Sequence, residues 1–340
     1  MSRPLVVVMD PQHADRTLEE RLGRGAFAVA FVPYPVPGAP VDPALFARAD
    51  AWLNYRGRHR LPGALLRRME RCRIVVNSGV GYDHVDVAVA AELGIPVCNV
   101  PDYGTTEVAD HAIALTLALC RGIVAYDEGL RKGGDWTALG MPGVRRIRGL
   151  RFGVVGLGRI GLATARRAAA FGMEVRFFDP YLPVGTELAH GWRRLDTLDG
   201  LLAESDVLSL HTPLTAETEG MIDGAALARL PAGAILVNTS RGRVVRLDAV
   251  AAALRDGRLG GAGLDVLAHE PPAWDHPLLA AWRAGEDWLR NRLIVTPHAA
   301  FFTPESIEDK RRLTTTTALD YLRDGTLRAC VNLELLKTRR

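Results

Sequence analysis

Short apolar runs separated by amphipathic stretches recur along the whole chain. The first set comprises Leu5 to Met9, Phe27 to Val32, Ala51 to Asn54, Arg73 to Asn77 and Ile95 to Cys98. Helical patterns lie between them, beginning with a charged amphipathic segment near Ala14 to Gly23. This alternation predicts a parallel α/β unit. Pro33 to Pro43 interrupts it and reads as a surface loop, because fixed φ angles and missing donors suit neither ladder nor helix. Glu107 to Arg121 is nearly all apolar and predicts a helix, capped by Thr105 or Thr106 and buried between units. A second set of strands follows at Phe152 to Val155, Glu174 to Phe178, Val207 to Leu210, Ile235 to Asn238, Gly263 to Val266 and Leu293 to Val295. Six short apolar strands separated by helical sequence predict a doubly wound parallel sheet. Pro304 to Asp324 is again amphipathic, too short for a domain, and is expected to return to the first unit.

Composition narrows the class without naming a function. At 340 residues, with 48% hydrophobic and 24% charged, the chain has the size and polarity of a two-domain globular enzyme. A net charge of +3 with no basic stripe gives no footprint for nucleic acid. The longest apolar run, Ala112 to Cys120, falls far short of the roughly 20 residues that span a bilayer. Met1 to Asp10 reads as a first strand and not as a signal peptide, so a cytoplasmic location is expected. Cys72, Cys98, Cys120 and Cys330 form no CxxC pair and read as buried thiols, with thiol redox chemistry set aside. His84, His111 and His269 have no partners at metal spacing, and no metal is assigned.

Chemistry concentrates where strands end. Gly156-Leu157-Gly158-Arg159-Ile160-Gly161 follows one strand directly and opens an Ala-rich helix, the context a dinucleotide fingerprint requires. The glycines permit a tight turn, close approach of backbone to a pyrophosphate, and packing of helix on strand, while the helix amides face the anion. Asp179 lies eighteen residues beyond Gly161 at the end of the next strand. There it accepts from the ribose hydroxyls and repels a 2′-phosphate, which predicts NAD over NADP. Three further segments reach the same carboxyl edge: Asn238-Thr239-Ser240-Arg241-Gly242, Asp265 to Glu270, and Thr296-Pro297-His298. Reduction of a 2-oxo acid needs a cation on its carboxylate and carbonyl, and an acid for the forming alkoxide. Arg241 fits the first role and His298 the second. Glu270 on the other ring nitrogen would fix the tautomer and favour the imidazolium near neutral pH.

Gly156 to Gly161, Asn238 to Gly242, Glu270 to Pro272 and Thr296 to Ala300, in this order, resemble the D-specific 2-hydroxyacid dehydrogenase family. The resemblance implies Arg241, Glu270 and His298 as a catalytic trio. It implies Gly156, Leu157, Gly158, Arg159, Ile160, Gly161 and Asp179 for NAD, with Thr239, Ser240, Asp265, His298 and Ala300 beside the nicotinamide end. Thr212-Pro213 resembles the coenzyme-edge loop of the family. The implied fold is a Rossmann-type coenzyme domain, residues 102–302, inserted in a flavodoxin-like substrate domain, 1–101 and 303–340, and assembled as a homodimer. Asn99-Val100-Pro101, Phe178 to Leu182, His298 to Phe301 and Cys330-Val331-Asn332 look most like the C-terminal-binding-protein branch. Two positions depart from that branch: Phe301 stands for an expected Trp, and Asn77 for an expected Arg. Tyr55 and Arg56 are candidates to replace that carboxylate partner, and Gly79, Val80 and Gly81 offer backbone amides. The expected activity is hydride transfer between NAD(H) and C2 of a small D-2-hydroxy or 2-oxo acid. The alternatives are an NAD-sensing scaffold with vestigial turnover, and a phosphite- or phosphonate-type acid on the same trio.

Overall fold

Alternate residues along each strand feed opposite hydrophobic layers. On the first strand, Val6 and Val8 enter one cluster while Val7 and Met9 enter another. In the second half Ile235 and Val237 face one layer, and Ala234 and Leu236 the other. Strands buried on both faces in this way belong to parallel sheets covered by helices on each side. The computed structural model describes residues 3–33, 41–55 and 59–337. The chain divides into two units, Met1–Gly104 with Thr303–Arg340, and Thr105–Phe302.

The first unit carries β1 (Leu5–Met9), β2 (Ala28–Val32), β3 (Ala51–Asn54), β4 (Ile74–Asn77) and β5 (Val97–Asn99). Their spatial order is β2-β1-β3-β4-β5, all parallel, which is the flavodoxin-like order. The helix Pro304–Asp324 begins with a capping box at Thr303 and Ser306. Its residues Ala318, Leu319 and Leu322 complete a cluster with Val6, Val8, Leu53 and Val76. Pro43 does not end a loop, as the sequence suggested. It is the first residue of the helix Pro43–Arg48, capped by Asp42, where its missing N–H costs nothing. Residues 34–40 of that predicted loop lie outside the described residues.

The second unit carries β6 (Arg151–Val155), β7 (Glu174–Phe178), β8 (Arg193–Arg194), β9 (Val207–Leu210), β10 (Ala234–Asn238), β11 (Leu259–Leu264) and β12 (Leu293–Val295). The order is β12-β11-β10-β9-β6-β7-β8, the doubly wound Rossmann order with β12 added at one edge. One strand more than predicted is present, since β8 is two arginines and carries no apolar signal. β11 starts before the expected Gly263, because Gly260 and Gly261 conceal its pattern. Cβ atoms on Gly261 and Gly263 would approach Leu119 and Leu115 at 3.2 and 3.0 Å, so these glycines let the helix Thr105–Arg121 lie close on the sheet. That helix buries Ala112, Ile113, Leu115, Leu119 and Cys120 in the unit's own core. Its apolar character is accounted for there.

Candidate active site

β6 ends at Val155, and the chain turns through Gly156 at φ 84° into the helix Arg159–Ala170. A side chain at Gly161 would overlap the Gly156 carbonyl, so helix and turn can meet only at a glycine. A Cβ on Gly158 would meet nothing within 4 Å, which leaves open space before the helix N-terminus. Arg159 is exposed, Ile160 half-buried and Leu157 buried. Asp179, at the end of β7, accepts from the Leu157 amide at 2.9 Å and the Tyr181 amide at 3.0 Å. The Arg194 guanidinium holds the same turn by donating to the carbonyls of Asp179 at 2.8 Å and Leu182 at 3.1 Å. The carboxylate is thereby fixed beside the glycine turn, with lone pairs left over.

At the ends of β9 and β10 the hydroxyls of Thr212 and Thr239 are buried without a hydrogen-bond partner. Buried polar groups are rarely left so, and an orphan in a cleft marks a place where a polar ligand completes the set. Pro213 follows, its carbonyl accepting from Thr218 Oγ1 at 2.6 Å. Ser240 is turned inward, its hydroxyl donating to Asn238 Oδ1 at 2.8 Å. Open space at Gly158, a helix N-terminus, a fixed carboxylate and two orphan hydroxyls fit a dinucleotide of the NAD type. His211 beside them is no proton donor, since burial pushes its imidazole down to about 3.

The catalytic edge is built from three loops. Gly242 has no room for a side chain, because a Cβ there would overlap the backbone of Leu267 and Ala268. This contact draws the Arg241 turn against the loop carrying Glu270. The Arg241 guanidinium donates to the Ser240 carbonyl at 2.8 Å. Glu270 Oε2 lies 2.6 Å from His298 Nδ1, and its Oε1 accepts from the Leu267 amide at 3.0 Å. Burial raises the Glu270 carboxyl, but the His298 contact, the Leu267 amide and the charge of Arg241 outweigh it and hold the group below its ordinary value. The bond at Nδ1 leaves Nε2 of a side chain 41% exposed to act outward. Phe301 sets its ring edge-on to His298, with centroids 6.1 Å apart.

His298 itself sits at φ 53°, a left-handed conformation that costs a non-glycine residue on the order of 1 kcal/mol or more. Asp265 holds it there. The Asp265 carbonyl accepts from the His298 amide at 2.8 Å, and its carboxylate accepts from the amides of Ala299 and Ala300 at 2.8 and 3.0 Å. Thr296 Oγ1 donates to the same carboxylate at 2.6 Å, and His111 Nε2 lies 3.0 Å from that hydroxyl. Asp265 is 1% exposed. It positions the histidine loop, at the nicotinamide end where the resemblance also puts it and Ala300. His111 and Thr296 belong to this bracket although neither had been singled out for it. Periodicity could not show that a helix residue at 111 reaches a loop at 296.

The remaining expected site residues lie in the first unit. Tyr55 does not behave as a substrate contact: it is 2% exposed, packed among Val8, Leu53 and Val76, and burial pushes its phenol upward. Arg56 lies outside the described residues. Gly79, Val80 and Gly81 form the loop after β4, braced by Asn77 Nδ2 on the Gly81 carbonyl at 2.6 Å and Asn99 Nδ2 on the Val80 carbonyl at 2.7 Å. Asn77 thus supports this loop from the position where an Arg was expected.

The NAD binding domain model of the D-isomer specific 2-hydroxyacid dehydrogenases matches residues 113–300. A hydroxypyruvate reductase of Blautia hydrogenotrophica is 36% identical over 262 residues, 76% of this chain and 78% of that protein. A glyoxylate reductase of Korarchaeum cryptofilum is 39% identical over 272 residues, 79% of each. Among solved structures, a D-lactate dehydrogenase of Aquifex aeolicus, complexed with NAD and lactic acid, superposes with a TM-score of 0.81 at 28% identity, covering 98% of both chains. These likenesses carry the family and do not single out the C-terminal-binding-protein branch. With a glycine turn that fits a dinucleotide and a histidine–glutamate pair on one sheet edge, the chain belongs to the D-isomer specific 2-hydroxyacid dehydrogenase family and is an NAD-dependent 2-hydroxyacid oxidoreductase.

Proposed function

We propose that the protein reduces a small 2-oxo acid of the glyoxylate or hydroxypyruvate class to its D-2-hydroxy acid, in the cytoplasm and as a homodimer. The observation that carries this reading is His298, bonded through Nδ1 to Glu270 and held in a left-handed backbone by Asp265. Bound NADH supplies the hydride to C2. Arg241 anchors the substrate carboxylate and polarises the carbonyl with its planar, permanently charged fork. His298 gives the Nε2 proton to the forming alkoxide, and Glu270 stabilises the imidazolium beforehand. The names of the Blautia and Korarchaeum relatives support the substrate class.

The first unit serves in this reading as the substrate domain, with amides of Gly79, Val80 and Gly81 offered to a carboxylate, and in the second unit Phe301 beside His298 offers an apolar wall. The dimer is supported by an apolar surface on the second unit, where Ile123, Val124, Leu130, Trp136 and Leu139 are exposed. Among the described residues no single helix is long and apolar enough to cross a membrane. A panel of glyoxylate, hydroxypyruvate, pyruvate and bulkier 2-oxo acids, followed by NADH absorbance, tests the proposal. Saturable turnover highest on the two- and three-carbon acids is expected. Tight NADH binding without turnover of any of them would sink it.

A further inference from the structure

Cys98 and Cys330 are more than two hundred residues apart in the sequence, yet the first unit sets them opposite one another. Cys98 is the central residue of β5, and Cys330 lies in the segment after the helix Pro304–Asp324; together they form an isolated antiparallel bridge. The Val331 amide donates to the Val97 carbonyl at 2.8 Å, and the Asn99 amide to the Ala329 carbonyl at 3.2 Å. Both bonds flank the cysteine pair and neither joins it. That pattern defines a non-hydrogen-bonded antiparallel pair, whose α-carbons stand about 4.5 Å apart with side chains on the same face. A disulfide spans α-carbon separations of about 4.4–6.8 Å, so this register meets its requirement without backbone movement.

The two thiols are unlike. Cys98 is wholly buried, whereas Cys330 is half-buried and its thiol donates to Asn332 Oδ1 at 3.3 Å. The facing sulfurs act on each other so that the Cys330 thiol is drawn down to about 7 and the Cys98 thiol is pushed upward, with burial adding to the latter. The less buried residue of the pair thus stands opposite a buried thiol, which is the arrangement of a reactive cysteine with a resolving partner. Cys72 and Cys120 are buried, their thiols raised by desolvation.

We propose that Cys98 and Cys330 form a reversible dithiol–disulfide site whose oxidant is a peroxide. The Cys330 thiolate attacks one peroxide oxygen, the O–O bond breaks and Cys330 becomes a sulfenic acid, while the departing hydroxide takes up the proton released when the thiol ionised and leaves as one water. Cys98 sulfur then attacks the Cys330 sulfur, the S–O bond breaks, and the departing hydroxide takes the Cys98 proton as a second water. Two thiols and one hydrogen peroxide give one disulfide and two waters, and a dithiol reductant reverses the step. The bond staples the C-terminal segment to β5, where Asn332 already accepts from the Val97 amide at 2.8 Å and donates to the Ile95 carbonyl at 3.0 Å. Because the folded register is kept, the cross-link acts on the unfolded chain through its very long loop.

The test is peptide mapping of the full-length reduced protein after a few equivalents of hydrogen peroxide and alkylation with iodoacetamide. An intact mass lower by two hydrogens is expected, with the peptides carrying Cys98 and Cys330 joined until dithiothreitol is added. Cys98→Ser and Cys330→Ser should each abolish the join, and the oxidised wild type should melt roughly 5 °C or more above the reduced form. The mapping needs no variant, so a poorly folded mutant does not cloud it. Stable over-oxidation of Cys330 with Cys98 still alkylatable, or a join to Cys72 or Cys120 instead, would overturn the proposal.

Discussion

The two units share a fold class and differ at the carboxyl edge of the sheet. In the second unit the strand order reverses between β6 and β9, and that crevice holds Gly156, open space at Gly158 and the orphan hydroxyl of Thr212. In the first unit it reverses between β1 and β3, and the equivalent crevice is plugged. Lys310, 3% exposed, donates to Gln12 Oε1 at 2.8 Å and to the Tyr55 carbonyl at 3.0 Å. Its neighbour Arg311 donates to Glu19 at 2.9 Å, and His13 lies 3.1 Å from the same carboxylate. Topology nominates a ligand site in both sheets. Whether the chain fills the crevice with its own charges decides which one is used.

The contrast breaks most sharply at His298. His298→Ala should lower turnover by roughly 10²- to 10⁴-fold while the Kd for NADH, read by fluorescence quenching, barely moves. A large loss of NADH affinity would mean that the edge had been misread as catalytic. Next in size is the plug itself. Burial raises Glu19, but its bonds to His13 and Arg311 outweigh this and hold the carboxyl below its ordinary value. It therefore stabilises the fold above the unfolded carboxylate pKa of about 4.3, and that contribution disappears as pH falls through the lower folded value. Glu19→Gln should cost on the order of 3 kcal/mol at neutral pH, measured by urea unfolding, and should flatten the acid limb of stability. NADH affinity should stay unchanged.

Two smaller effects sharpen the picture of the second unit. Asp179→Ala removes the ribose acceptor and the repulsion of a 2′-phosphate together, so the ratio of NADPH to NADH affinity should rise by about tenfold or more in titration calorimetry. Glu270→Gln should move the pH–rate profile of reduction to lower pH, because an amide no longer stabilises the imidazolium that reduction consumes. An unshifted profile would reduce Glu270 to a loop residue.

Local chemistry is legible in the sequence, and distant pairing is not. The turn Gly156 to Gly161 and the helix Pro304–Asp324 announce themselves because their signals, glycine spacing and a 3.6-residue period, lie within a few turns of chain. His298 and Glu270 could be paired because each ends a strand on one predicted edge. β8 was invisible because Arg193 and Arg194 hold a sheet edge by hydrogen bonds, without apolar residues. Tyr55 looked like a ligand contact by its place after β3, yet whether a ring at a strand end turns outward or into the core depends on residues such as Lys310, far along the chain. The bracket of His111, Thr296 and Asp265 and the meeting of Cys98 with Cys330 are likewise products of folding.

The place of Lys310 also bears on the order in which the protein can be made. A ribosome delivers residues Thr105–Phe302 whole before it delivers the helix Pro304–Asp324. The second unit can close its core during translation, while the first waits with β1 to β5 formed from chain already emitted but lacking Leu319, Leu322 and Arg311, the guanidinium partner of Glu19. Until that helix arrives, a carboxylate paired with His13 alone and an open apolar face are exposed to the cell, and chaperones and proteases have their opportunity there. A stop codon just before Thr303 would thus leave a coenzyme-binding unit intact and the other unit half-built, and the nascent chain is most vulnerable in the seconds before the helix Pro304–Asp324 docks.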